Sequence, residues 1–189
     1  MKFNETFEII FFARAGQGAK AAAEIIAQAA VSEGKFVQAF PFFGPERSGA
    51  PTKSFVRVSE IPISTHEPIA DPDAVVVLDD TLLGSVDVAE NLDMNESLII
   101  NTSKSHDEIK KSVPKFRGKA YLIDGNKISS AIIGQPRPNS VILGKIANVT
   151  GVVKLESIFS EFRKLFAPKI GEEETEKNIE AIQKGYDAI

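Results

Sequence analysis

Two short stretches carry residues whose types and spacing can do chemistry. The first is Pro41-Phe42-Phe43-Gly44-Pro45-Glu46-Arg47-Ser48-Gly49-Ala50-Pro51, with three prolines and two glycines in eleven residues and one acid beside one base at its centre. Proline fixes φ and removes a backbone donor, whereas glycine permits turns that other residues resist. The stretch is therefore predicted to be a stiff, shaped loop that presents Glu46 and Arg47 at a fixed place, as binding loops do. The alternative, held open at this point, is a long hairpin connection with an ordinary surface ion pair. The second stretch is Arg14-Ala15-Gly16-Gln17-Gly18, a glycine-containing turn between an apolar run and an alanine-rich one. A strand, such a turn and a helix together aim backbone N–H groups and a helix dipole at an anion. The dinucleotide fingerprint fails, because Ala21 stands where its third glycine belongs. The P-loop pattern fails too, because Lys20 is not followed by Ser or Thr. The turn reads first as a tight packing device and second as an anion site.

Composition narrows the chemistry further. The 189 residues fit one domain over 1–189, and 43% hydrophobic with 25% charged residues is ordinary for a soluble globular protein. The net charge of −4, with dispersed basic residues, gives no nucleic-acid footprint. With no cysteine, the chain has no disulfide, no thiolate zinc site and no conventional iron–sulfur cluster of its own. The two histidines, His66 and His106, lie far apart without metal-ligand spacing and read as surface or turn residues. No apolar run approaches the length of a membrane span, the N-terminus lacks a signal-peptide pattern, and the expected compartment is the cytoplasm. There is no His–carboxylate pair at short spacing, no Gly-x-Ser-x-Gly elbow and no complete nucleotide motif. Such a chain is expected to bind, clamp or position while another chain does the chemistry.

The elements that must position these stretches are legible from periodicity. Phe7 to Phe12 is an almost wholly apolar run that suits a central strand, and Ala19 to Glu33 reads as a helix with a wet stripe of Lys20, Glu24 and Gln28. Gly34 is placed to stop that helix. Strands at Lys35 to Phe40 and Thr52 to Ser59, with Lys53 and Arg57 on a wet face, are predicted to form an antiparallel excursion together with Ile61 to Ile63. Ala74 to Leu78 is the most strongly buried strand pattern and ends at Asp79-Asp80-Thr81, where one aspartate is expected to cap a short helix. In open α/β sheets the same edge is where ligands bind. Further strands follow at Ser97 to Asn101 and Lys119 to Ile123, with a short charged helix near His106 to Ser112. From Asn139 the chain reads as helical, with Asn139 and Ser140 as caps and with Gly144 and Ala147 allowing close approach. Amphipathic faces follow at Leu155 to Phe166 and from Glu172 to the end. The fold class is α/β: a three-layer α/β/α arrangement with a mostly parallel, mixed sheet and a helical C-terminus.

Taken together, Ala13 to Ala19, Val37 to Pro41, Gly44 to Pro51, Pro72 to Asp79 and Pro138 to Gly144 resemble the gamma subunit of 2-oxoacid:ferredoxin oxidoreductases, in the pyruvate/2-oxoisovalerate branch. The resemblance runs in order along nearly the whole chain. Many members have glycine where Ala13 or Ala15 stands. It implies a subunit of a complex that converts a 2-oxoacid, coenzyme A and oxidised ferredoxin to acyl-CoA, carbon dioxide and reduced ferredoxin. It further implies thiamine diphosphate, magnesium and iron–sulfur clusters on alpha, beta and delta subunits, and a gamma domain associated with coenzyme A. By position, the residues it points to are Arg14, Gly16, Gln17, Gly18, Gly44, Glu46, Arg47 and Gly49. An interface or intraloop salt bridge is an equal alternative for Arg47, and Lys53 reads as a solvated strand residue. The competing readings are a stand-alone nucleotide- or acyl-CoA-binding regulatory module, a purely structural subunit, or a member specific for 2-oxoisovalerate or 2-oxoglutarate.

Overall fold

The computed structural model describes residues 6–42 and 49–188. The apolar run at the start forms β1 (Thr6–Arg14), buried on both faces over most of its length as a run without polar alternation demands. It leads into α1 (Ala19–Ser32), whose alanines pack on the sheet while Lys20, Glu24 and Gln28 stay exposed. Gly34, at φ 83°, takes the left-handed position past the helix end. Two antiparallel strands follow, β2 (Phe36–Phe42) and β3 (Pro51–Ser59), then β4 (Ala74–Val77), β5 (Ser97–Asn101) and β6 (Lys119–Ile123). The order across the sheet is β2-β3-β1-β4-β5-β6, with β1, β4, β5 and β6 mutually parallel and β3 antiparallel to both of its neighbours. The remaining helices are α2 (His106–Ser112), α3 (Gly125–Ile133), α4 (Pro138–Thr150), α5 (Leu155–Ile170) and α6 (Glu172–Asp187).

The sheet is covered unequally. One face carries α1, α3, α4, α5 and α6 over a core that includes Phe11, Ile26, Ile99, Ile142 and Ile182. The other is closed by α2, a 3₁₀ helix at Asp80–Gly84 and irregular chain, over Phe12, Phe55, Leu82, Leu98 and Ile109. The mixed α/β arrangement agrees with the sequence reading, but the second helical layer is thin.

Four local expectations are corrected. Ile61 to Ile63 is not a strand but irregular, largely exposed chain, in keeping with Pro62 in its middle. Arg57 is not on a wet face: it is 4% exposed, paired with the Glu8 carboxylate, and donates to the Gln38 amide oxygen at 2.8 Å and the Glu67 carbonyl at 3.2 Å. Those partners come from three other segments, so no local pattern could announce the burial. Helix α3 was not anticipated, although Asp124 caps it by accepting from the Lys127 N–H at 2.9 Å. Finally, α4 begins at Pro138 rather than Asn139, the proline sitting in the first turn where its missing N–H costs nothing.

At the amino ends of the strands, Asp73 ties β1 to β4. Its carboxylate accepts from the Glu8 N–H at 2.7 Å, and its own N–H donates to the Glu8 carbonyl at 2.9 Å. Burial, together with the charges of Glu8 and Asp71, pushes the Asp73 carboxyl above its ordinary value, more than the Glu8 N–H pulls it down. Glu96 is raised as well, by burial and by the charges of Asp71, Asp93 and Asp73. A carboxyl raised in the folded state binds its proton more tightly there. Its contribution is therefore full below the unfolded pKa and declines as pH rises through the folded one. Asp73→Asn keeps an oxygen for the Glu8 N–H and is expected to flatten that decline in urea midpoints measured from about pH 4 to 7. An unchanged slope refutes the role given to Asp73.

Candidate strand-end site

The carboxyl ends of β1, β4, β5 and β6 face the starts of α1, α3 and α4 across a polar cleft of about 760 Å³. This is the sheet edge at which open α/β folds bind ligands. The cleft exists because four parallel strands end together and three helices start there, leaving a concavity lined by strand-end polar groups. Asn101, 3% exposed, braces its floor by donating to the Leu78 carbonyl at 2.9 Å and accepting from the Gly125 N–H at 2.9 Å.

The glycine turn forms one wall. Gly16 and Gly18 adopt φ of 93° and 83°, conformations that favour glycine. A Cβ on Gly18 would also come within 2.9 Å of the Asn139 side-chain nitrogen, so the turn sits tight against the start of α4. The turn is a close packing device, as expected, and its backbone borders the cleft.

Arg14 and Gln17 bind the turn to the end of β4. The Arg14 Nε and Nη2 donate to the Thr81 hydroxyl oxygen at 3.0 and 2.8 Å, and Nη1 donates to the Gly49 carbonyl at 3.0 Å. The Arg14 N–H donates to the Gln17 side-chain oxygen at 2.8 Å, while the Gln17 amide donates to Asp79 at 2.6 Å. Asp79 accepts from the Thr81 N–H at 3.0 Å and its hydroxyl at 2.5 Å, and lies 3.5 Å from the Arg14 Nε. It caps the 3₁₀ helix, as anticipated. Burial works against its charge, but the Thr81 and Gln17 hydrogen bonds and the Arg14 guanidinium together hold its carboxyl below the usual range.

Of the residues singled out by sequence, Gly16, Gln17 and Gly18 line the cleft, and Arg14 and Gly49 are joined to its corner through the Arg14 hydrogen bonds to Thr81 and the Gly49 carbonyl. The Ala15 N–H also donates to the Ala50 carbonyl at 3.0 Å. Gly44, Glu46 and Arg47 lie outside the described residues. Asp79, Thr81, Asn101, Asp124, Arg137 and Asn139 border the same cleft, but the sequence marked them only as caps or strand ends, or not at all. For Asp79, Asn101 and Asp124 the signal is a polar residue directly after an apolar run. Three carboxylates face the cleft, and each is engaged: Asp79 as above, Asp80 with Thr102 at 2.5 Å and Lys104 at 3.2 Å, and Asp124 as the α3 cap.

Chemically, the cleft offers polar side chains and backbone groups. Among the described residues there is no cluster of His, Cys, Asp or Glu that could hold a metal ion. His66 and His106 are both exposed, away from the cleft lining. No helix among the described residues is long and apolar enough to cross a membrane.

Comparison with known proteins places the chain in a family. The family described as pyruvate ferredoxin/flavodoxin oxidoreductase matches residues 8–188, and the chain belongs to it. Within that family it is of the gamma type. It is 46% identical over 177 residues to the pyruvate/ketoisovalerate oxidoreductases common subunit gamma of Thermococcus kodakarensis, covering 94% of this chain and 96% of that one. The crystal structure of the pyruvate oxidoreductase subunit PORC of Thermotoga maritima superposes with a TM-score of 0.86 at 38% identity, covering 97% and 96% of the two chains. The fold alone recurs in the 2-oxoglutarate:ferredoxin oxidoreductase of Magnetococcus marinus. There the TM-score is 0.77 at 20% identity, and the match covers 97% of this chain but 31% of that one.

Proposed function

We propose that this chain is the gamma subunit of a 2-oxoacid:ferredoxin oxidoreductase of the pyruvate synthase type, which takes part in assembly and in binding coenzyme A. The observation that carries the reading is full-length likeness to gamma and PorC chains, covering at least nine-tenths of each. The polar cleft at the carboxyl ends of the parallel strands supports it. In this reading alpha, beta and delta subunits supply thiamine diphosphate, magnesium and iron–sulfur clusters, and ferredoxin takes the electrons. The complex works in the cytoplasm. Coenzyme A, whose phosphates suit fixed guanidinium groups, is bound with help from Arg47 and from the corner formed by Arg14 to Gly18 and Gly49. The T. kodakarensis relative is named as common to pyruvate and ketoisovalerate oxidoreductases, so a gamma chain need not choose the 2-oxoacid.

Purification of the tagged chain from its native cells tests this directly. It is expected to bring down three further subunits together with iron and thiamine diphosphate, with 2-oxoacid oxidation that depends on coenzyme A. A chain recovered alone sinks the assignment. In the assembled complex, Arg47→Ala is expected to raise the KM for coenzyme A about tenfold, the scale of losing a charge-assisted contact. Intact assembly with unchanged KM removes Arg47 from the ligand site.

A further inference from the structure

We infer that Arg14 and Gln17 are positioning residues and do not contact the ligand: with Asp79 and Thr81 they form a latch that fixes the glycine turn and Gly49 at the corner of the cleft. The inference rests on the proposed coenzyme A function and changes what two of its residues do. By residue type alone, Arg14 is the obvious cation for a phosphate. Its surroundings say otherwise. The Nε–Nη2 edge of the guanidinium is taken by one hydroxyl, that of Thr81, and Nη1 by the Gly49 carbonyl. Gln17 is engaged at both ends of its amide, by the Arg14 N–H and by Asp79.

Asp79 is the centre of the arrangement, receiving both Thr81 donors, the Gln17 amide and the nearby Arg14 charge. The circuit joins three segments distant in sequence: the end of β1 with its turn, the start of the return to β3, and the corner after β4. The backbone bond from Ala15 to Ala50 runs beside it. A side chain held on two edges and partnered to an internal carboxylate has a fixed direction, and groups of this kind set the geometry of their neighbours. The corner thus owes its shape to Thr81, a residue that offers a ligand no charge.

The two roles separate in a double-mutant cycle on the assembled complex. Positioning predicts that Thr81→Val, which leaves Arg14 in place but removes its acceptor, raises the KM for coenzyme A about tenfold, as Arg14→Ala does. The kcat and the KM for the 2-oxoacid are expected to stay within about twofold of wild type. The double variant should be no worse than either single one, because both remove the same latch. Thr81→Ser keeps the hydroxyl and is expected to restore the wild-type KM. Direct contact between Arg14 and the ligand predicts instead that Arg14→Ala acts alone, or adds to Thr81→Val. Either result overturns the inference, as does a Thr81→Ser variant as impaired as Thr81→Val. A wild-type complex with no saturable dependence on coenzyme A is a separate failure, that of the functional assignment itself.

Discussion

Replacing Gly144 by Ala is expected to destabilise the protein by roughly 3 kcal/mol, the upper end of ordinary overpacking penalties. A Cβ at Gly144 would lie 1.8 Å from the Ile182 carbonyl oxygen and 2.6 Å from the Tyr186 nitrogen. The contact is reciprocal: a Cβ at Gly185 would lie 1.9 Å from the Val141 carbonyl oxygen. Helices α4 and α6 therefore cross through a pair of glycines, backbone against backbone. Alanine is the better helix former by about 1 kcal/mol, so propensity opposes the predicted effect. Sterics win, because backbone atoms cannot rotate away as a side-chain tip can. Relief requires moving α6 off α4, and Val141 to Ala147 and Ile182 are buried at that contact. In a domain of this size the loss corresponds to a fall in Tm of about 6–12 °C. Gly84→Ala is the control, since nothing lies within 4 Å of its Cβ position. A Gly144→Ala variant as stable as that control refutes the close crossing.

Replacing Glu8 by Ala is expected to cost at least as much, about 3–5 kcal/mol, by stranding a buried charge. The Arg57 side chain is 5% exposed and the Glu8 side chain 21%. Arg57 lies on β3 and reaches Glu8 on β1, Gln38 on β2 and the Glu67 carbonyl in the irregular chain that follows. Removal of Glu8 leaves the largely buried guanidinium its two neutral acceptors but takes away its directly paired carboxylate. The pair is not expected to be worth that figure in itself. Replacing both residues by Leu should recover most of the loss, because the large term is the uncompensated charge. Urea unfolding of the two single variants and the double variant decides the matter. If Glu8→Ala falls within about 0.5 kcal/mol of wild type, as surface changes do, Arg57 is in contact with water after all.

Much of the fold could be read in the sequence, where elements carry their own pattern. The apolar runs at Phe7 to Phe12 and Ala74 to Leu78 are strands because a strand covered on both faces needs no polar alternation. Leu155, Ile158 and Phe162 face the core at helical spacing, as anticipated. Gly144 drew notice as a place of close approach, but its partner Gly185 did not, since nothing in α6 says which helix will cross it. Helix α3 escaped because it is only nine residues long and its Asp124 cap looked like one more turn residue.

The candidate site divides along the same line. Arg14, Gly16, Gln17 and Gly18 were legible because a glycine turn between a strand and a helix is a local pattern with a local physical meaning. What Arg14 does was not. A guanidinium in a sequence is a free cation until its acceptors are known, and here they are Thr81 and the Gly49 carbonyl, 67 and 35 residues away. The same holds for Arg57, whose strand position suggested water and whose burial depends on Glu8, 49 residues distant. By itself, the sequence determined the α/β class, the strand-end edge, the glycine turn and the family. Which charges are spent inside the protein was decided only by the tertiary structure, because pairing depends on distances that chain folding sets and residue spacing does not.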